Sequence, residues 1–404
     1  MRRLLFLIIL TASFESIQAQ PFQFRGTDRN GIYPDTGLLD RWPEQGPEMI
    51  ATLGGIGDGY GSPSINERGI YIAGMIDSTG YIFHFNFRHQ LLWKIQYGSE
   101  FTFKYTGARG TPTLEENRLY YSGTYGDAFC LNNETGDFIW KKNIFDLYQS
   151  ETSKWGYTES PLLYKNLVIL TPGGPGHNVV ALDKMTGEHI WSIDLDSAVN
   201  AYNSPVLIHH RGEDFILLNT TKQMIMIHPE SGIIGYRHPI EQSSNMHAIP
   251  GLYSRGRIFY SSGYGQGCAL LNLNEYTGGM DTVYFNPDLD CRLSGLIPYQ
   301  GTVYGTSDRK KHWVGVGLES GQTLFTSREV KPGSFLLADN KFIIFTETGE
   351  VALAIPGEEG FTVVSRFSIP VQPAQLAFAH PVLYQGILYI RYRENLWLYK
   401  VSDH

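Results

Sequence analysis

The sequence is poor in charge, poor in cysteine and short of long apolar runs. Charged residues make up 18% of its 404 positions, and the formal net charge is −8. Its one compact basic run is Arg309-Lys310-Lys311, far less than the basic stripe a nucleic-acid partner requires. Only three cysteines are present, Cys130, Cys268 and Cys291, with no CxxC, no CxxCH and no adjacent pair. That excludes a disulfide framework and a c-type haem; a Cys268–Cys291 bridge stays open beside the alternative of buried free thiols. The longest early apolar run, Leu4 to Leu10, is too short to cross a bilayer. With Arg2 and Arg3 before it and Ile17-Gln18-Ala19 after it, residues 1–19 read as a signal peptide. No cysteine stands near the cut, which argues against a lipid anchor. The expected mature chain is therefore a single exported domain of residues 20–404, without a transmembrane segment. GxSxG, HExxH, a phosphate-loop ending and EF-hand spacing are all missing. Gly173 to Gly176 and Gly263 to Gly267 read as hairpin loops. His209-His210 reads as an exposed loop, because neighbouring strand residues point to opposite faces and two histidines alone make no metal site.

What is abundant is glycine and aromatic side chains: 44 Gly, 25 Tyr, 22 Phe and 7 Trp. These suit short strands joined by tight turns. Self-comparison gives a period of about 45 residues, the length of one propeller blade. Each unit opens on a small or polar residue, usually followed by proline, and closes on a Thr-Gly or Ser-Gly turn and a strand carrying an aromatic. The openings are Ser62-Pro63, Thr111-Pro112, Ser160-Pro161, Ser204-Pro205, Ile249-Pro250, Ser294-Gly295, Gly333-Ser334 and His380-Pro381. The closing aromatics begin with Trp93, Trp140, Trp191 and Tyr236. Glycine in the turn supplies the positive φ of a tight hairpin, and a tryptophan at a fixed position fills the gap between blades. The last unit has three strands. Glu48 to Leu53 occupies the place that IWKKNI and IWSIDL hold before later units. The reading is an all-β, eight-bladed propeller of four-stranded antiparallel blades, closed by Glu48–Leu53 in the last blade. Seven blades would result if the degenerate unit at Gly333-Ser334 were miscounted.

Ahead of the first unit stand Phe24-Arg25-Gly26, Arg29-Asn30-Gly31, Trp42-Pro43 and Gly57-Asp58-Gly59-Tyr60, and Ala181 to Trp191 carries an ALD-x-x-TG-x-x-x-W pattern. This order resembles bacterial propellers of the pyrroloquinoline-quinone (PQQ) repeat type, of the BamB-like and polyvinyl-alcohol-dehydrogenase-like kind. The resemblance implies the fold and a place in the periplasm or at the cell surface. Quinoprotein dehydrogenases of the superfamily hold PQQ and calcium beneath an adjacent cysteine pair, which is missing here, so neither cofactor is expected. BamB is a periplasmic scaffold, and the resemblance implies a binding role more than an enzymatic one.

In such a ring the residues three before each proline, or its equivalent, converge on one channel mouth. They are Tyr60, Arg109, Thr158, Tyr202, His247, Arg292 and Phe378, with Glu159 and Asn203 beside two of them. Two arginines suit a carboxylate or sulfate, tyrosines suit sugar rings, and His247 and Arg292 are the candidate catalytic residues. The expected function is a monomeric, non-enzymatic propeller that binds an envelope protein or a glycan. A carbohydrate-active enzyme and a PQQ-dependent oxidoreductase are the alternatives.

Overall fold

The computed structural model describes residues 22–196, 199–240, 246–357, 359–372 and 375–403. The expected signal peptide lies outside the described residues. The described chain folds into eight four-stranded antiparallel blades in a ring. Blade 1 contains strands Ser64–Asn66, Gly69–Ile76, Thr79–Phe85 and Leu91–Ser99. Blades 2 to 4 run from Thr113–Glu115 to Phe138–Asn143, from Leu162–Tyr164 to His189–Ile193, and from Val206–His210 to Ile234–Pro239. Blades 5 to 7 run from Leu252–Ser254 to Gly279–Asn286, from Ile297–Tyr299 to Thr323–Ser327, and from Gly333–Ala338 to Gly360–Ser368. The degenerate unit is thus a complete blade, and the count is eight.

Blade 8 has Val382–Tyr384, Ile387–Tyr392 and Asn395–Lys400, with Glu48–Gly54 as its outer strand. The pairing is antiparallel, from Glu48 opposite Lys400 to Gly54 opposite Asn395, with one irregularity between Met49 and Ala51. The first and last parts of the described chain therefore share a sheet, as expected, and the outer edge of Asn395–Lys400 is paired. Arg391 adds a second clasp there. Its guanidinium donates to the carbonyls of Gly61 (2.8 Å), Ala73 (2.6 Å) and Gly57 (3.2 Å), all in or before blade 1.

The repeat residues explain how blades join. Each outer-strand tryptophan reaches the following blade, where its indole N–H donates to a backbone carbonyl: Trp93 to Glu134, Trp140 to Lys184, Trp191 to Pro229, at 2.9–3.0 Å. The indole lies on the glycine of the Thr-Gly or Ser-Gly turn. A Cβ on Gly187, whose φ is +70°, would stand 2.7 Å from Trp140, so both the turn and the contact demand glycine. Apolar side chains of adjacent blades interleave behind it; Leu162, Ile169 and Ile193 pack with Ile216, Leu218 and Ile225 in one buried cluster. Blades 4 and 5 meet more closely, through a single parallel bridge between Arg237 and Gly279.

The Ser/Thr of each opening has its own task. The Ser62 N–H donates to Thr111 Oγ1 (3.1 Å), the Thr111 N–H to Ser160 Oγ (3.1 Å), and the Ser160 N–H to Ser204 Oγ (3.0 Å). Ser62 Oγ in turn donates to the His380 carbonyl (2.8 Å). This belt runs around the channel from blade 8 to blade 4. Ile249, without a hydroxyl, opens blade 5.

The residues before Glu48 plug the channel. Phe22 bridges to Leu114 of blade 2, Ile32 to Leu337 of blade 7 and Leu38 to Ser402. Arg29 donates to the carbonyls of Ser160, Pro161 and Pro205, and Arg25 to those of Asn30 and Leu296, both at 3.1 Å. Burial lowers the guanidinium pKa of Arg29 to about 9 and that of Arg25 to about 10, so both stay charged at neutral pH. Nothing in the repeat pattern foretold this plug.

One smaller expectation is corrected, and two local points are added. His209-His210 ends a strand instead of forming a loop. His209 pairs with Asp214 (2.9 Å), and buried His210 contacts Tyr253 (2.8 Å) and Glu275 (3.0 Å). Cys268 and Cys291 are buried free thiols, not a bridge. A short helix, Ile144–Tyr148, follows blade 2, its start capped by the Asn143 side chain.

Candidate ligand site at the channel mouth

The blade openings surround a cavity of about 330 Å³. Six of the residues reached by counting back from the prolines line it: Tyr60, Arg109, Thr158, Tyr202, Arg292 and Phe378. Phe24 and Arg25 of the plug line it as well, so the channel mouth is a cup and not an open passage. His247, Glu159 and Asn203 do not line it. All three are buried behind the wall, at 1–2% exposure. Alternation along an extended chain explains the inversion: Met246 and Ala248 line the cup, so His247 between them faces away. Its Nδ1 shares a hydrogen bond with Ser262 Oγ at 2.8 Å, and burial lowers its pKa to about 4. His247 therefore sits as a neutral imidazole behind the wall, and the expectation that it lines the mouth is corrected. Burial raises the Glu159 carboxyl well above the usual range. Asn203 Oδ1 accepts from the Asn219 N–H (3.1 Å) and fixes the neighbouring strand.

Counting from the prolines missed Lys104, Tyr105, Trp155 and Tyr264, which line the cup from loops. The signal available was composition, since these loops are rich in aromatic and basic residues. The rings form a connected set. Phe378 lies 5.5 Å from both Tyr60 and Tyr105, and Tyr105 lies 6.1 Å from Trp155. Cations ride on them: Arg109 is 4.4 Å from Phe101 and 5.9 Å from Tyr60, Lys104 is 5.5 Å from Tyr105, and Arg292 is 5.8 Å from Tyr264.

The positions of these groups are set from outside the cup. Arg393, ion-paired with Asp58, donates to Tyr60 Oη at 2.6 Å. Arg109 Nη2 donates to the Tyr105 carbonyl at 2.5 Å. Arg292 pairs with Asp308 (3.2 Å) and Glu347 (3.7 Å). His380 Nε2 meets the Leu293 carbonyl at 3.1 Å, and burial, then Arg25, holds its pKa well below normal. Tyr105, Tyr202 and Tyr264 have φ of 61°, 65° and 60°, the left-handed region that non-glycine residues avoid. Three strained tyrosines thus present their rings to one cavity.

Eight four-stranded blades, a clasp in the last blade and tryptophan-on-glycine contacts define a PQQ-like β-propeller. Comparison with known structures agrees on the fold. BamB from Moraxella catarrhalis aligns with a TM-score of 0.62 at 12% identity, covering 88% of this chain and 99% of that one. A europium-containing methanol dehydrogenase aligns at 0.63 and 8% identity, covering 92% and 89%. The computationally designed Ika8 protein aligns at 0.63 and 11% identity, covering 88% and 100%. No curated protein matches the sequence. The chain belongs to the family described as outer membrane protein assembly factor BamB, which residues 84–327, more than half of it, match.

Proposed function

We propose that this chain is a non-enzymatic binding protein of the bacterial envelope that holds a glycan in the mouth cup. The observation that carries the reading is the convergence of the rings of Tyr60, Tyr105, Trp155, Tyr202 and Phe378 on one small concave site. A cavity of about 330 Å³ has the size of a small-ligand pocket, whereas a protein partner needs a surface of about 800 Å² on each side. Tyrosine and tryptophan offer flat apolar faces with a polar edge, which suits the faces and hydroxyls of a sugar.

The same lining argues for binding over turnover. Its described residues include no aspartate or glutamate, and its one histidine, His380, is buried with its pKa depressed. A pair of groups to exchange a proton with a glycosidic oxygen is lacking there. The donor set also does not fit PQQ with calcium. Among the described residues no carboxylate or amide side chain lines the cup, and hard cations require such oxygens. We therefore read the protein as working without either. An envelope location is supported by the family description and by the signal-peptide character of residues 1–19.

The test is calorimetric titration of the full mature protein with a panel of oligosaccharides, alongside an assay for released sugar. The expectation is saturable binding without product. Tyr60→Ala with Trp155→Ala should weaken binding by about 100-fold, taking roughly 1–1.5 kcal/mol per stacking ring. Steady sugar release would reject the non-enzymatic role. Undiminished binding by the double variant would reject the site.

A second reading, a protein scaffold, has its own observation. Leu91 and Leu92 of blade 1 and Phe138 and Ile139 of blade 2 are 41–52% exposed on adjacent outer strands. Crosslinking in envelope extracts with a photoreactive group at Phe138 would detect a partner on that rim. Absence of any crosslink would leave the glycan reading alone.

A further inference from the structure

The cup is cationic in a chain whose formal net charge is −8. Arg25, Lys104, Arg109 and Arg292 line it, and no carboxylate does so among the described residues. Arg292 is already neutralised by Asp308 and Glu347. Arg25, Lys104 and Arg109 differ, because none of them forms an ion pair with a described carboxylate. Arg25 is 2% exposed and spends Nη2 on two carbonyls, while its Nε–H has no protein partner. Arg109 spends Nη2 on the Tyr105 and Lys104 carbonyls, its Nε–H also lacks a partner, and its planar face lies on Phe101. Three positive charges without an ion-pair partner, two of them drawn in from bulk water, focus an attractive potential for anions in a low-dielectric cup.

We infer that the glycan is acidic, and that its carboxylate or sulfate groups are received between Lys104 and Arg109 with Arg25 beneath. This rests on the glycan-binding reading above. The pyranose rings lie against Tyr60, Tyr105, Trp155 and Phe378, and the guanidinium fork of Arg109 meets the acid group. A planar fork favours a carboxylate or sulfate in two-point contact. The flat arginine on Phe101 loses little conformational freedom when it binds.

The test compares tri-galacturonate, neutral galactotriose, a sulfated galactotriose and an acidic hexapeptide by calorimetry at low and high salt. Either acidic sugar should bind at least about tenfold tighter than the neutral one, and this margin should shrink at about 0.5 M salt, a concentration chosen to give strong screening, with a Debye length of about 4 Å. Lys104→Gln, on an exposed side chain, and Arg109→Gln should each lower the ratio of acidic to neutral sugar affinity to near one. Equal affinity for acidic and neutral sugars in the unaltered protein would overturn the acid specificity and leave glycan binding intact. Binding of none of the sugars at millimolar concentration would overturn both readings. A hexapeptide that binds more tightly than every sugar would overturn the saccharide class. Because Lys104 is exposed, loss of preference in its variant cannot be ascribed to misfolding when the melting temperature is unchanged.

Discussion

Tyr105, Tyr202 and Tyr264 each hold a backbone angle that costs about 1–2 kcal/mol for an L side chain. Strain of this size persists where surrounding structure over-determines it, often at a ligand clamp. Tyr264 is 47% exposed, so its ring contributes little packing to offset that cost. Tyr264→Gly should therefore leave stability level or raise it, within about 1 kcal/mol, while weakening ligand binding; a thermal melt beside a titration measures both. His247 behaves differently. Its imidazole is favoured neutral in the folded chain, with a pKa of about 4 against an ordinary 6.5. The unfolded chain then takes up a proton at a higher pH than the folded one. The associated stability is complete above pH 6.5 and falls between 6.5 and 4, by about 3 kcal/mol in all. His247→Gln should flatten that part of the stability profile, as denaturant titration across about pH 4 to 7 would show. The same residue marks the limit of what the sequence reveals at this scale. Counting from proline located Tyr60, Arg109, Thr158, Tyr202, Arg292 and Phe378 because blade openings repeat their register. One position of slip, as at His247 or between Thr158 and Glu159, turns a lining residue into a buried one, and periodicity alone does not resolve it.

Among the elements, the strands and turns were legible and the plug was not. Strands repeat, and each repeat reinforces the others: Thr135-Gly136, Thr186-Gly187 and Ser231-Gly232 recur, each at a fixed distance from its closing aromatic. The segment from Phe22 to Leu38 has no internal repeat or period, because its backbone and arginine hydrogen bonds go to several different blades. Its clearest sign was a pair of arginines flanked by glycines, which sequence alone could not distinguish from an exposed loop. Arg29 shows what the plug contributes. Its guanidinium satisfies three carbonyls at the openings of blades 3 and 4. Arg29→Leu would leave the buried Ser160 and Pro205 carbonyls without that donor, while the Pro161 carbonyl keeps Thr113 Oγ1 at 2.7 Å. The expected loss is about 3 kcal/mol, at roughly 1–3 kcal/mol for each of the two buried carbonyls left unpaired. Arg29→Lys should recover part of it, because an ammonium donates but cannot span the same fork. Chemical denaturation of the two variants gives the comparison, and equal stability of Arg29→Leu and the unaltered chain would refute the role.

At the scale of the whole ring, stability depends on closure. Seven of the eight blades are continuous in sequence, and neighbours meet through tryptophan, turn glycine and interleaved apolar side chains. Such an array can open like a chain at its weakest joint. The joint between the last blade and the first is bridged by Glu48–Gly54, which is covalently followed by blade 1 but hydrogen-bonded to blade 8. Arg391 crosses the same seam from blade 8 to carbonyls of Gly57, Gly61 and Ala73. Deleting residues 1–54, with an export leader restored, keeps every strand of blades 1 to 7 yet leaves Asn395–Lys400 with an unpaired edge. Unpaired edges recruit other chains, and the plug would be lost together with the clasp. The truncated chain should melt at a lower temperature and associate as concentration rises, which analytical ultracentrifugation detects. A second variant separates clasp from plug: Arg391→Met retains all strands and the plug but removes the donor to three carbonyls at the seam. It should lower the melting temperature without exposing an edge, and so without association. If the truncated chain associated no more than the full one and were as stable, ring closure by the early strand would not be what holds this molecule together.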